Sequence, residues 1–314
     1  MIVLFLTALL FILPFIPTLL EILHPSDNKA TPISKYQLKD VRNTQQDFFS
    51  ILSLLLQNEK WLTLDSSELV AMKDSHLRGI YALQDLRILP GSHPVTIAGE
   101  KTLICDSGSQ IYEAHAREKI IVQDKAEILW WATAPKIELR TGIHQRGKLE
   151  ASEHLQVLGN CMFSSLKSPN IEIGNFTRSA SPQKIQPTTQ RQIFFKEWRN
   201  QDKTLIGDYI IENHAHLTAN TTLRGSLKVD GNLTIEQGCH IEGHVFVGGS
   251  LISEGDTKIS GVVIVEKNLN LGPQHEIGHI EAICTVSADK ITIQGPQLIH
   301  GTLRCWEEAK IQLG

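Results

Sequence analysis

LRGSLKVDGNLTIEQGCHIEGHVFVGGSLISEGDTKISGVVIVEKNLNL, residues 223–271, decides the fold. Its aliphatic residues alternate: Leu223, Leu227, Val229, Leu233 and Ile235 share one parity. A period of two describes a strand with one buried face. Every sixth residue tends to be glycine, at Gly225, Gly231, Gly243, Gly249, Gly255 and Gly261, with Gln237 the exception. A chain that turns a corner at each of these positions has little room there for a side chain.

The pattern extends outward at a fixed interval of 18 residues: Leu205, Leu223, Ile241, Ile259 and Ile277 keep it, as do Gly207, Gly225, Gly243 and Gly261. Ile211, Val229, Val247, Val265 and Ile283 stand six residues after each first position. Three six-residue faces, each with two inward aliphatics and a corner, describe one rung of a triangular β-helix. A single rung cannot bury its inward face, so rungs must stack. The left-handed hexapeptide helix also has 18 residues per coil, but it places a small residue two before the main aliphatic. Here those positions hold Leu227, Leu233, Val245, Leu251, Val263 and Leu269, which favours the right-handed form. The expected fold class is an all-β, right-handed triangular solenoid preceded by a transmembrane helix.

Toward the N-terminus the repeat degenerates. LRGIYAL at 77–83 superposes on LRGSLKV at 223–229 and suggests that rungs begin near Trp61. Ile120 and Val122 recur as Ile137 and Leu139, then Leu155 and Val157, then Ile171 and Ile173, at intervals of 17, 18 and 16. Residues 61–175 therefore read as an irregular section of the same kind. Residues 176–203, with TRSASPQKIQPTTQRQ, read as a loop or linker in which IFFKEWRN forms a short helix across an open solenoid end. A second insertion comes after Val286, because the Ile277 phase returns at Ile299 after 22 residues.

From Ile2 to Leu20 no residue is charged, and 19 residues make a helix of about 28 Å, close to the hydrocarbon thickness of a bilayer. Neither a basic n-region nor a small-x-small cleavage site accompanies the run, so residues 1–23 read as a span and not as a signal peptide. Pro14 and Pro17 are tolerated better in a membrane helix than in a soluble one. Lys29, Lys35, Lys39 and Arg42 come after the span, which places the body in the cytoplasm at the inner membrane. Residues 24–60 read as a polar linker and a short amphipathic helix containing Phe48, Phe49, Ile51, Leu52 and Leu54 to Leu56, a lid on the next domain.

Composition agrees. The 314 residues are 41% hydrophobic and only 6% aromatic, which suits a thin aliphatic core better than two compact domains. A net charge of −4 gives no global reason to expect nucleic acid, and none is expected as a partner. Cys105, Cys161, Cys239, Cys284 and Cys305 form no CxxC pair and fit a reducing compartment, where the sequons at Asn175, Asn220 and Asn232 are chance matches.

The segment 204–314, above all the stretch quoted first, resembles the bactofilins, polymer-forming bacterial cytoskeletal proteins with the same IxGxIxV cadence. The resemblance implies a right-handed triangular β-helix that assembles end to end without nucleotide, as a scaffold for envelope proteins at the inner membrane. The chain departs from that family in its membrane span and its second solenoid section. Ile311 and Leu313 lie on an end that reads as open, and they are the candidate self-association residues. If the added section caps one end, filament growth would be blocked and the protein would only dimerise.

Catalysis finds little support in the sequence. His214 with His216, His240 with His244 and His275 with His279 invite a metal reading, but residues four apart on a strand stand about 13 Å apart. Glu236 and Glu254 alone among the nearby carboxylates share a rung position. There is no P-loop, GxSxG or dinucleotide fingerprint. No catalytic, metal or cofactor residue is therefore assigned and the chain reads as a non-enzyme; the alternatives are a β-helix enzyme acting on sugars or acyl groups and a scaffold subunit that does not polymerise.

Overall fold

A computed structural model describes residues 48–52, 55–57, 61–65, 68–69, 79–92, 96–175, 192–196, 198–200 and 202–313. All lie in the compact unit Val41–Gly314. The expected span at 1–23, the linker at 24–47 and residues 176–191 lie outside the described residues. No helix among the described residues is long and apolar enough to cross a membrane.

The described chain is a β-solenoid of about 12 turns, in two sections. In the second section each short strand pairs in parallel with the third strand after it, so three columns run along the stack. One column is Leu205↔Leu223↔Ile241↔Ile259↔Ile277, in the expected register. These residues are buried, and so are Leu227, Val229, Leu233, Ile235, Val245 and Leu251 in the other two columns. The first section uses coils of 16 to 19 residues: Leu69 pairs with Ile88, Ile120 with Ile137, Ile137 with Leu155 and Leu155 with Ile171. Bulges such as the one between Glu150 and Leu155 absorb the uneven lengths at corners.

Four local expectations are corrected. The second insertion precedes Val286, which pairs directly with Val263; the extra residues loop out at 278–283 and leave Ile283 48% exposed and out of phase. IFFKEWRN contributes no helix. Gln192–Phe195 and Trp198–Arg199 are strands that begin the second section, pairing with Asp208–Ile211 and Ala215–His216, while Trp198 tilts against Tyr209. LRGIYAL is out of phase by one, because Ile80 and Ala82 point inward and Leu83 outward. A Cβ on Gly79 would fall 2.6 Å from the Trp61 ring, which packs on that coil.

The fourth correction concerns the end at Ile311 and Leu313, which is not open. The last strand of the first section, Cys161–Ile173, pairs antiparallel with the last strand of the second, Gln297–Gln312. Cys161 faces Ile311, Leu166 faces Leu303 and Ile171 faces Ile299, so the two stacks meet end to end and share one core. Unpaired strand edges are templates for pairing, and here each section satisfies the other's.

The helical residues 48–52 and 55–57 lie on the flank of the first section. Phe49 and Leu52 are buried against Ala98, with Trp61 and Tyr81 beside them. The Phe48 ring stacks on the His115 imidazole at 3.6 Å, and the Arg117 guanidinium lies 4.4 Å over the Phe49 ring. The segment is a lid on a strand face, as its apolar pattern suggests.

Candidate functional site

The corners carry most of the polar order. A Cβ on Gly261 would approach the Gly243 carbonyl oxygen to 2.5 Å, and Gly225 and Gly243 meet the carbonyl of the coil before them in the same way. The residues after Gly207, Gly225 and Gly243 each cap the next coil. Asp208 Oδ1 accepts from the Ser226 N–H at 2.7 Å, Ser226 Oγ from His244 N–H at 3.2 Å, and His244 Nδ1 from Val262 N–H at 3.0 Å. The adjoining corner repeats the device, with His214 Nδ1 accepting from Asn232 N–H and Asn232 Oδ1 from Ser250 N–H. His214 and His244 are thus corner caps, placed by the 18-residue interval that also places Asp208, Ser226, Asn232 and Ser250.

The third corner is built on a left-handed residue, at Asn220, Gly238, Asp256 and Gln274, again 18 apart. Gly238 supplies this turn, which is why Gln237 needs no glycine. The next residue points inward and returns a donor to the turn: Thr221 Oγ1 donates to Thr218 O at 2.6 Å, Thr257 Oγ1 to Gly255 O at 3.1 Å, and Cys239 Sγ to Thr218 O at 3.3 Å. This column therefore has one inward aliphatic per face where two were expected.

His275 occupies the same position. Its Nδ1 donates to Gly272 O at 2.9 Å and its Nε2 accepts from Ser253 Oγ at 2.7 Å, while its N–H donates to Gln297 Oε1 at 3.0 Å. A histidine on a serine has the form of a base on a nucleophile. Both are buried in the solenoid interior, beyond reach of a substrate, and burial lowers the imidazole to about 4. The pair is a satisfied core contact.

The carboxylate Glu236 binds its neighbours, and Glu254, one coil on, is not among them. Glu236 accepts from the Ala219 N–H at 2.8 Å and faces His216 Nε2 at 2.6 Å, contacts that hold its carboxyl below the ordinary range. Among the described residues no three of His, Cys, Asp and Glu converge as metal ligands.

At the seam, Leu313 N–H donates to Asn160 Oδ1 at 2.6 Å and His300 Nδ1 to Pro169 O at 2.9 Å. A shallow hollow there is lined by Ile143, His144, Cys161, Met162, Lys310 and Ile311. Lys310 is paired with Glu308 at 3.0 Å. The sequence-predicted residues thus divide: Leu205, Leu223, Ile241, Ile259, Ile277 and the glycines Gly207, Gly225, Gly243 and Gly261 build the stack, while Ile311 and Leu313 close it. No protein-family model, curated protein or solved structure matches the chain.

Proposed function

We propose that the chain is a non-catalytic scaffold of bactofilin type, a right-handed triangular solenoid anchored in the inner membrane by residues 2–20 with its body in the cytoplasm. The bulky inward residues Leu227, Leu233, Val245, Leu251, Val263 and Leu269, all buried, support the right-handed form over the hexapeptide form. Between a filament and a discrete subunit, the pairing of Cys161–Ile173 with Gln297–Gln312 favours the subunit. It consumes the edges through which the last coils would otherwise recruit another chain, and envelope proteins would dock on the flanks of the rod. At about 4.8 Å per coil, about 12 turns make a rod of about 60 Å.

Electron microscopy and sedimentation of the 41–314 body test this reading. Single rods of that length are expected; long filaments would sink the discrete-subunit form. Carbonate extraction of cells expressing the full chain tests the anchor, which requires that the protein stay with the membrane pellet.

A further inference from the structure

Three aromatic rings stand in solvent along one corner of the rod. Tyr112 is 44%, Trp130 56% and Trp306 62% exposed. Tyr112 and Trp130 sit on neighbouring coils with ring centroids 5.3 Å apart. Gly147 occupies the corner on the next coil, because Lys148 pairs with Trp131; a Cβ there would fall 2.6 Å from the Trp130 backbone. Ser164 comes next, between Phe163 and Ser165, which pair across the seam with Ala309 and Arg304. Trp306 lies inside that interval, so the rings mark a single corner crossing from one section to the other. Trp306 lies three coil steps from Trp130, about 14 Å, with Arg146, Gly147 and Ser164 on the two coils between.

Basic side chains flank the rings, together with Glu113 next to Tyr112 and Asp289 on the coil beside Trp306. The Arg304 guanidinium lies 3.7 Å over the Trp306 ring, and Arg146 and Lys148 are exposed on the Gly147 coil. The carboxylates Glu307 and Glu308 are paired with Lys290 at 3.4 Å and Lys310 at 3.0 Å. The N-terminal chain arrives at the same place. Phe48 stacks on His115, which is three residues along the Gln110–Ala116 strand from Tyr112. The apolar run that ends at Leu20 is therefore joined to the rod beside the first ring, through a segment that spans up to about 90 Å when extended.

We propose that this corner is a membrane-facing ridge: the rod lies side-on against an anionic bilayer, with Tyr112, Trp130 and Trp306 in the headgroup layer and Arg146, Lys148 and Arg304 on lipid phosphates. Tryptophan and tyrosine join an apolar body to a polar tip and settle at that boundary, and basic side chains near an anionic surface add to the attraction. The inference rests on the membrane-anchored reading, and it adds a second contact that keeps the rod flat on the surface.

The test uses the 41–314 body, which has its own core and lacks the apolar run, with vesicles of phosphatidylcholine and phosphatidylglycerol. The body is expected to float with the vesicles and its tryptophan emission to be quenched by brominated lipid. The double variant Trp130→Ser, Trp306→Ser is expected to bind at least about tenfold more weakly with unchanged thermal unfolding, because both rings are on the surface. A body that does not float, or a double variant that floats as well as the native protein, overturns the ridge. So does a body that ignores vesicles but dimerises through these tryptophans in sedimentation, which would make the corner a protein interface. Carbonate washing of the full chain separates the two ideas. A full chain that washes off while the body floats removes only the anchor, and a retained full chain whose body does not float removes only the ridge.

Discussion

At the left-handed corner, one residue decides whether a coil closes. Ser109, Thr221, Cys239, Thr257 and His275 each come directly after the turn, point inward and donate back to it or to the carbonyl beside it. Histidine is the costly choice in this series, because its proton affinity is tied to burial. Burial lowers the His275 imidazole from 6.5 to about 4, so the folded state holds it neutral while the unfolded chain binds a proton below pH 6.5. Stability is then fully present above about pH 6.5 and is lost as pH falls toward 4, by about 3 kcal/mol at the lower limit. His115, pressed under Phe48 and lowered to about 3 by burial, acts in the same sense. Urea unfolding tracked from pH 7 to pH 4 should show that loss, and His275→Gln should flatten the profile while lowering stability at pH 7. A native profile already flat across this range would contradict the assignment. The turn residues Asn220, Gly238 and Asp256 are visible in the sequence as an Asn, Gly and Asp series at 18, but the inward role of Thr221, Cys239 and Thr257 beside them is not. Thr, Cys and His have no hydropathy in common, and only the turn geometry unites them.

Each coil is held by two kinds of register, apolar inside and polar at the corners. The apolar register is legible because stacked strands require one aliphatic column at a fixed interval, and Leu205 through Ile277 keep it. The corner glycines are legible for a related reason: coil-to-coil spacing brings the backbone of one corner onto the next. Gly261→Ala should cost about 1–3 kcal/mol, since the added methyl meets the Gly243 carbonyl oxygen at 2.5 Å and the His244 imidazole at 2.6 Å. Thermal unfolding of that variant beside Thr234→Ala, an outward position, would measure it; equal stability of the two would show that the corner can yield. Phase fails where the interval breaks. Ile283 keeps the spacing by coincidence while its coil has looped out, and IFFKEWRN reads as a helix because its aromatic residues have no evident burial site along the chain. Both errors come from counting along the chain across a position where the stack, not the count, sets the register.

For the whole molecule, the seam is not legible in the sequence at all. Antiparallel pairing of two strands more than a hundred residues apart leaves no periodic trace, and Ile311 and Leu313 read as the face of an open end. Ten residue pairs cross the seam between Cys161–Ile173 and Gln297–Gln312, joined by His300 to Pro169 and Leu313 to Asn160. These contacts make the union independent of the connecting chain. A protease site inserted near residue 183 and cleaved should leave the two halves co-eluting in gel filtration, and halves that part in physiological salt would show that the connection, not the seam, holds the rod.

Because both stacks wind toward the seam, the coils run from each tip to the middle and the strand direction reverses there. A single solenoid has a front and a back, as an arrow does, and copies added to it would share its direction. Among the described residues this rod has a leading edge at each tip, Trp61–Leu64 at one and Gln192–Phe195 at the other, and no trailing edge. Turning it end for end presents the same kind of strand edge to its surroundings, so whatever it organises on either side would meet it without a sense of direction along the axis.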